Sequence, residues 1–148
     1  MDLYTLKYLL KKQKVSGIMA IKSKVPRNGV KLQKIKVRGA ELDKSKSHIV
    51  VEIIEYVPHS VVSKSILKKI TGNISVMSFD NGEGLSEKTS PFDTFVQIIE
   101  GKANIVIDKV SHLLQTGMGI IIPAHSTNSI KPNGKFKMIN TLIKSGYE

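Results

Sequence analysis

From Ile49 onward the chain is written in short β-like runs, and nearly every run stops at a turn signal. Ile49–Val57 is rich in β-branched residues and ends at Pro58. Val61–Leu67 is followed by Thr71-Gly72-Asn73. Ile74, Val76 and Ser78 alternate with Ser75, Met77 and Phe79 before the loop Asp80-Asn81-Gly82-Glu83-Gly84. Thr94–Ile99 ends at Glu100-Gly101, and Ala103–Ile107 runs into the turn Asp108-Lys109. Ser111–Gln115, Gly119–Ile122, Thr127–Lys131 and Phe136–Ile143 complete the series. Runs of this length at roughly ten-residue spacing, with no helix-length period between them, predict an all-β sandwich or barrel. With about eight strands in ~100 residues a closed barrel is the economical solution, because closure removes exposed strand edges.

The first third reads differently. Residues 1–47 carry 13 Lys and Arg against Asp2, Glu41 and Asp43, a net of +10, whereas residues 48–148 carry 10 against nine. The formal charge of +11 therefore belongs to an appendage and not to the body of the protein. Two parts follow: a basic N-terminal extension or linker over residues 1–47 and a barrel domain over residues 48–148. Within the extension, Leu3, Leu6 and Leu10 at helical spacing, flanked by Lys7, Lys11 and Lys14, predict a short helix over residues 1–18 that Gly17 would stop. Alternatively Met19 is the true start. Val30–Val37 alternates and predicts an edge strand whose lysines discourage pairing with other molecules. Pro26, Asn28-Gly29 and Gly39 mark the remainder as linker.

The chain has 148 residues, room for one domain, and its 41% hydrophobic content is that of a globular protein and not a disordered one. No apolar run approaches the ~20 residues of a membrane-spanning helix, and no secretory signal pattern stands at the N-terminus. Zero cysteines exclude disulfides, thiolate metal sites and a cysteine nucleophile, and a cytoplasmic location is the default expectation. No Gly-x-Ser-x-Gly elbow and no phosphate-binding Gly-x-x-x-x-Gly-Lys-[Ser/Thr] is present. Basic amphipathic segments can lie on RNA or anionic membranes. Only Tyr4 and Tyr8 offer base stacking there, so nucleic acid is an alternative and not the main expectation.

Two stretches make the barrel more specific. One is Gly82-Glu-Gly-Leu-Ser-Glu-Lys88-Thr-Ser90-Pro-Phe-Asp-Thr94-Phe-Val-Gln-Ile-Ile-Glu-Gly101; the other is Gly117-Met-Gly-Ile-Ile-Ile-Pro123-Ala-His125-Ser-Thr-Asn128. Together they resemble the small single-domain cupins over about residues 50–144. The spacing of Gly82, Gly101, Gly117 and Pro123 is similar to that family's glycine and proline frame. The resemblance implies a cupin-type double-stranded β-helix, or jelly-roll barrel. It also implies a divalent metal held by three His and one Glu inside the barrel.

Carried over by position, the ligand places fall on Lys88, Ser90, Thr94 and Asn128, and none of the four is the family's residue. An ammonium opposes a metal, and two hydroxyls and an amide are weak neutral donors, so no metal or other cofactor is expected. Strand alternation turns Glu87 away from the face that holds Lys88 and Ser90. His125 stands three residues before Asn128 and belongs near the cavity mouth. His48, His59 and His112 lie on other segments.

The expectation is a metal-independent barrel that binds a small polar or anionic ligand through Lys88, Ser90, Thr94, His125 and Asn128, with no catalytic residue assigned. The alternatives are a metal-dependent cupin enzyme (dioxygenase, isomerase or sugar-modifying) with improvised ligands, and a nucleic-acid or membrane-surface binder acting through residues 1–47. An unpaired Lys88 buried in such a cavity must find an anion, shift its pKa or reach the rim. A homodimer is expected as well, because small cupins pair and because Ile49-Val-Val-Glu-Ile-Ile54, read as a strand, is apolar on both faces.

Overall fold

A computed structural model of the chain describes residues 35–146. The helix expected over residues 1–18 and the linker up to Lys34 lie outside the described residues. Nine strands form the body: β1 (Ile35–Arg38), β2 (Val61–Lys69), β3 (Gly72–Phe79), β4 (Leu85–Thr89), β5 (Thr94–Ile107), β6 (Val110–Gln115), β7 (Gly119–Ile122), β8 (Thr127–Lys131) and β9 (Phe136–Ile143). They pair in the order β1-β2-β3-β9-β5-β8-β4, with β6 and β7 also joined to β5. The first half of β5 pairs with β7 and β9; its second half pairs with β6 and β8. One strand thus belongs to both sheets, and the sheet curls around a common interior. The all-β barrel expected from the strand spacing is the observed fold.

The long β5 replaces the two runs that Glu100-Gly101 separates in the sequence. Gly101 has φ +83°, and a Cβ there would collide with the Lys135 carbonyl oxygen. The β5–β9 register shifts between Ile98 and Glu100. A glycine at a bulge bends the strand from one sheet into the other without ending it. β4 was not visible as an apolar run: Leu85 is the one hydrophobic residue among its five.

The first sheet comprises β1, β2, β3, β9, β7 and the first half of β5, and the second comprises β4, β8, β6 and the second half of β5. Alternation along the strands sorts two apolar clusters onto the two faces of the first sheet. The inner cluster contains Val61, Met77, Phe79, Val96, Ile98, Ile105, Phe136 and Met138. Phe79 and Phe136 are register partners whose rings stack at 4.3 Å. The outer cluster takes the residues in between, Val62, Val76, Ile99 and Ile139, and is completed by Ile54 and Val57.

Those last two residues correct the reading of Ile49–Val57 as a strand. The segment is a 3-10 turn at Val50–Glu52 followed by irregular backbone, strapped across the outer face of the first sheet. Two of its carbonyls take side-chain donors in place of a neighbouring strand: Val51 O accepts from Lys137 Nζ at 2.5 Å and Glu55 O from Ser78 Oγ at 2.8 Å. Ile49 is 64% exposed while Ile54 is 3% exposed, so the apolar run covers its own chain on one side only.

β1 is an edge strand, as expected from Val30–Val37, though its described part is Ile35–Arg38 and it runs parallel to β2. Its lysine is not a solvated guard: Lys36 Nζ donates to Ser60 Oγ at 2.7 Å. Leu42 N donates to Ile66 O, and Lys68 N donates to Glu41 Oε1. Part of the segment read as extension is therefore hydrogen-bonded to the barrel. No helix among the described residues is long and apolar enough to cross a membrane.

Candidate functional site

The interior is packed at one end and hollow at the other. Beyond Met138 and Val96, the space between the sheets opens into a cavity of about 170 Å³. Lys88, Ser90, Thr94 and Asn128, the four positions carried over from the family's ligand places, all line it. Backbone register explains the convergence. Lys88 and Asn128 are paired across β4 and β8, so their side chains leave the sheet on the same side. Thr94 enters from the opposite sheet, two residues before the inward-facing Val96 on β5.

Sequence reasoning missed a fifth polar lining residue, Asn140. It pairs with Val96 and lies on the same face of β9 as Phe136, Met138 and Leu142. The period-two alternation of Phe136–Ile143 marked that face, and an amide on an otherwise apolar inward row was the available signal.

His125 does not line the cavity and is exposed. Its φ of +67° is the left-handed conformation that the family's glycine would supply at this place. Its backbone N–H donates to Ser90 O at 2.6 Å, and the neighbouring Ala124 N–H donates to Asp93 Oδ1 at 2.8 Å. The Pro123–Ser126 turn thus holds the Ser90–Asp93 loop at the cavity's edge, and His125 contributes its backbone and not its ring. His48, His59 and His112 are not among the lining residues either, and Glu87 is exposed on the other side of β4.

Lys88 is exposed, so its head reaches solvent while its stem lines the wall. It stands at the rim. Asn128 is the reverse, 6% exposed. Its hydrogen bond among the described residues is Nδ2 donating to Lys88 O at 3.4 Å, and its amide oxygen is a further acceptor on a cavity-lining residue. Met77, Val96, Ile122, Met138 and Leu142 supply apolar wall.

This donor set does not fit the metal that the fold implies. One ammonium, two hydroxyls and two amides offer neither imidazole nor carboxylate. Among the described residues no three His, Asp or Glu side chains stand together as a metal-binding group.

No protein-family model matches the sequence, and neither does any curated protein. Solved structures do match. A cupin superfamily protein from Desulfitobacterium hafniense shares 28% identity at TM-score 0.66, covering 72% of this chain and 97% of that one. A cupin 2 conserved barrel domain protein from Leptotrichia buccalis shares 27% identity at TM-score 0.61, over 64% of this chain and 46% of that one. A conserved protein of unknown function from Streptococcus pyogenes shares 22% identity at TM-score 0.68, over 72% and 94%. With the shared β5 and the glycine-bent crossover, these define the architecture as an all-β cupin barrel. The chain is a small cupin-fold domain.

Proposed function

We propose that the cupin-fold domain binds a small polar or anionic molecule in its cavity without a metal, and that it carries no catalytic residue. The observation behind this reading is the convergence of Lys88, Ser90, Thr94 and Asn128 on one cavity of about 170 Å³ whose lining, among the described residues, includes no His, Asp or Glu. The Ser90 and Thr94 hydroxyls have no imidazole or carboxylate beside them in that lining, among the described residues. The cysteine-free composition accords with a cytoplasmic setting.

Two measurements test the reading. Elemental analysis of the purified full-length protein should find metal far below stoichiometry; roughly one tightly held Fe, Mn, Ni or Zn per chain overturns it in favour of an improvised metal enzyme. Thermal denaturation should shift upward with at least one small anion or polyol, and Asn128→Leu should abolish the shift. A panel without any shift removes the binding role.

A homodimer is part of the proposal, on a different footing from the sequence-based one, since the strand that motivated it is a strap buried on its own chain. Phe95, Ile121 and Ile143 are 37%, 63% and 51% exposed on the outer face of the first sheet, beyond the strap. These three side chains are apolar, so a two-fold contact made through them opposes no like charges. Light scattering at micromolar concentration should give twice the monomer mass, and Ile121→Lys should return the monomer.

A further inference from the structure

The cavity's charge, volume and wall chemistry narrow what it can hold. Among the described residues its lining includes one cation and no acid, so a bound group of single negative charge is matched and a dianion is left half-compensated. The volume of about 170 Å³ is close to the ~150 Å³ of an engineered apolar cavity that takes benzene, which sets the buried part of a ligand at about six to eight heavy atoms. Seven of the 12 lining residues are apolar. A polyol, with a hydroxyl on every carbon, would press several of them against Met, Val and Leu without partners, and unpaired buried hydroxyls are costly. The polar groups are not evenly spread in exposure either. Lys88 is exposed at the rim, whereas Asn128 is a buried lining residue whose Nδ2 donates to Lys88 O.

Building on the metal-free binding reading, we infer that the ligand is a short-chain monocarboxylate. Its carboxylate accepts from Lys88 Nζ at the mouth, and its hydrocarbon body lies against Val96, Met138 and Leu142. A hydroxyl on that body donates to Asn128 Oδ1, so a hydroxy acid is preferred over the plain acid.

Calorimetric titration of the full-length protein with five probes tests this: pentanoate, 2-hydroxypentanoate, 1-pentanol, erythritol and inorganic phosphate. Pentanoate should bind, 2-hydroxypentanoate should bind several-fold more tightly, and 1-pentanol should bind at least about tenfold more weakly than pentanoate. Lys88→Met should weaken pentanoate about tenfold and leave 1-pentanol unchanged. Lys88 is exposed, so this variant leaves the core intact and the test survives even if Asn128→Leu fails to fold. Equal binding of 1-pentanol and pentanoate, or an unaffected Lys88→Met, overturns the carboxylate assignment. Binding of erythritol or phosphate in place of pentanoate overturns it too, while the broader binding reading stands. If none of the five binds, both fall.

Discussion

The two ends of the barrel interior are built from the same strands and have opposite chemistry. Along β9 the inward row passes from Phe136 and Met138 to Asn140; along β5, read backward, it passes from Ile98 and Val96 to Thr94; along β8, from Ile130 to Asn128. At one end Phe79 and Phe136 are stacked and fully buried. At the other, polar side chains from both sheets face a cavity. The lesson is that a strand's inward face is not uniformly core. The packed end supplies the stability, and it frees the open end to carry residues that a core would reject.

The largest expected effect would come from giving the open end its family chemistry back. Lys88→His, Ser90→His, Thr94→Glu and Asn128→His together should produce Ni or Mn binding at micromolar Kd or better, about 8 kcal/mol, that the wild type does not match. A folded quadruple variant that gains nothing would show that the four positions converge on a cavity without sharing a ligand geometry.

Next in size is a contrast between the ends. Phe136→Ala should lower unfolding free energy by about 3–5 kcal/mol, through lost burial and an unfilled cavity beside Phe79. Thr94→Ala should lower it by less than about 1 kcal/mol. Equal losses in denaturant titrations would erase the division between core and site.

The outer strap offers a third test, independent of both interior ends. Tyr56 Oη donates to Glu100 Oε2 at 2.6 Å, and the same carboxylate pairs with Lys137 at 3.7 Å. Tyr56→Phe should cost about 1 kcal/mol at neutral pH. Burial, followed by the hydrogen bond to Glu100 and that group's charge, raises the Tyr56 pKa above its ordinary 10.0. A raised folded pKa means the contribution is complete below pH 10 and is lost as pH climbs beyond it. Wild type should therefore lose stability faster than Tyr56→Phe between neutral and strongly alkaline pH; parallel curves would place the hydroxyl outside the clamp.

The smallest effect has the most diagnostic sign. Asn140→Leu keeps the volume and adds apolar contact with Met138 and Leu142, so stability should rise by up to about 1 kcal/mol while ligand-induced thermal shifts disappear. A loss of stability would make Asn140 part of the structural core.

Much of this division was legible in the chain, and the failures are instructive. The positions of Lys88, Ser90, Thr94 and Asn128 came from spacing within the Gly82–Gly101 and Gly117–Asn128 stretches, where local turns set the register. Asn140 stands in a stretch without such a motif, and only its pairing with Val96 brings it to the cavity. His125 was placed by its nearness in sequence to Asn128. A positive φ at that turn leaves its ring outside the cavity lining. Ile49–Val57 has strand composition, but a strand needs a neighbour with open N–H and C=O groups. The outer face of the first sheet instead offered Lys137 and Ser78 as donors and an apolar surface for Ile54 and Val57.

By itself the sequence determined what depends on neighbours along the chain: the period-two alternation, the turns that end most runs, and hence an all-β barrel with four replaced positions at fixed spacing. Tertiary structure alone decided that Gly101 bends a strand and does not end it, that an apolar run becomes a strap, and that Asn140 joins the cavity while His125 stays outside its lining. The physical reason is that alternation assigns a side chain to one of two faces, but what covers each face is settled by segments distant in the chain. Lys137 and Val51, 86 residues apart, meet only in the folded molecule.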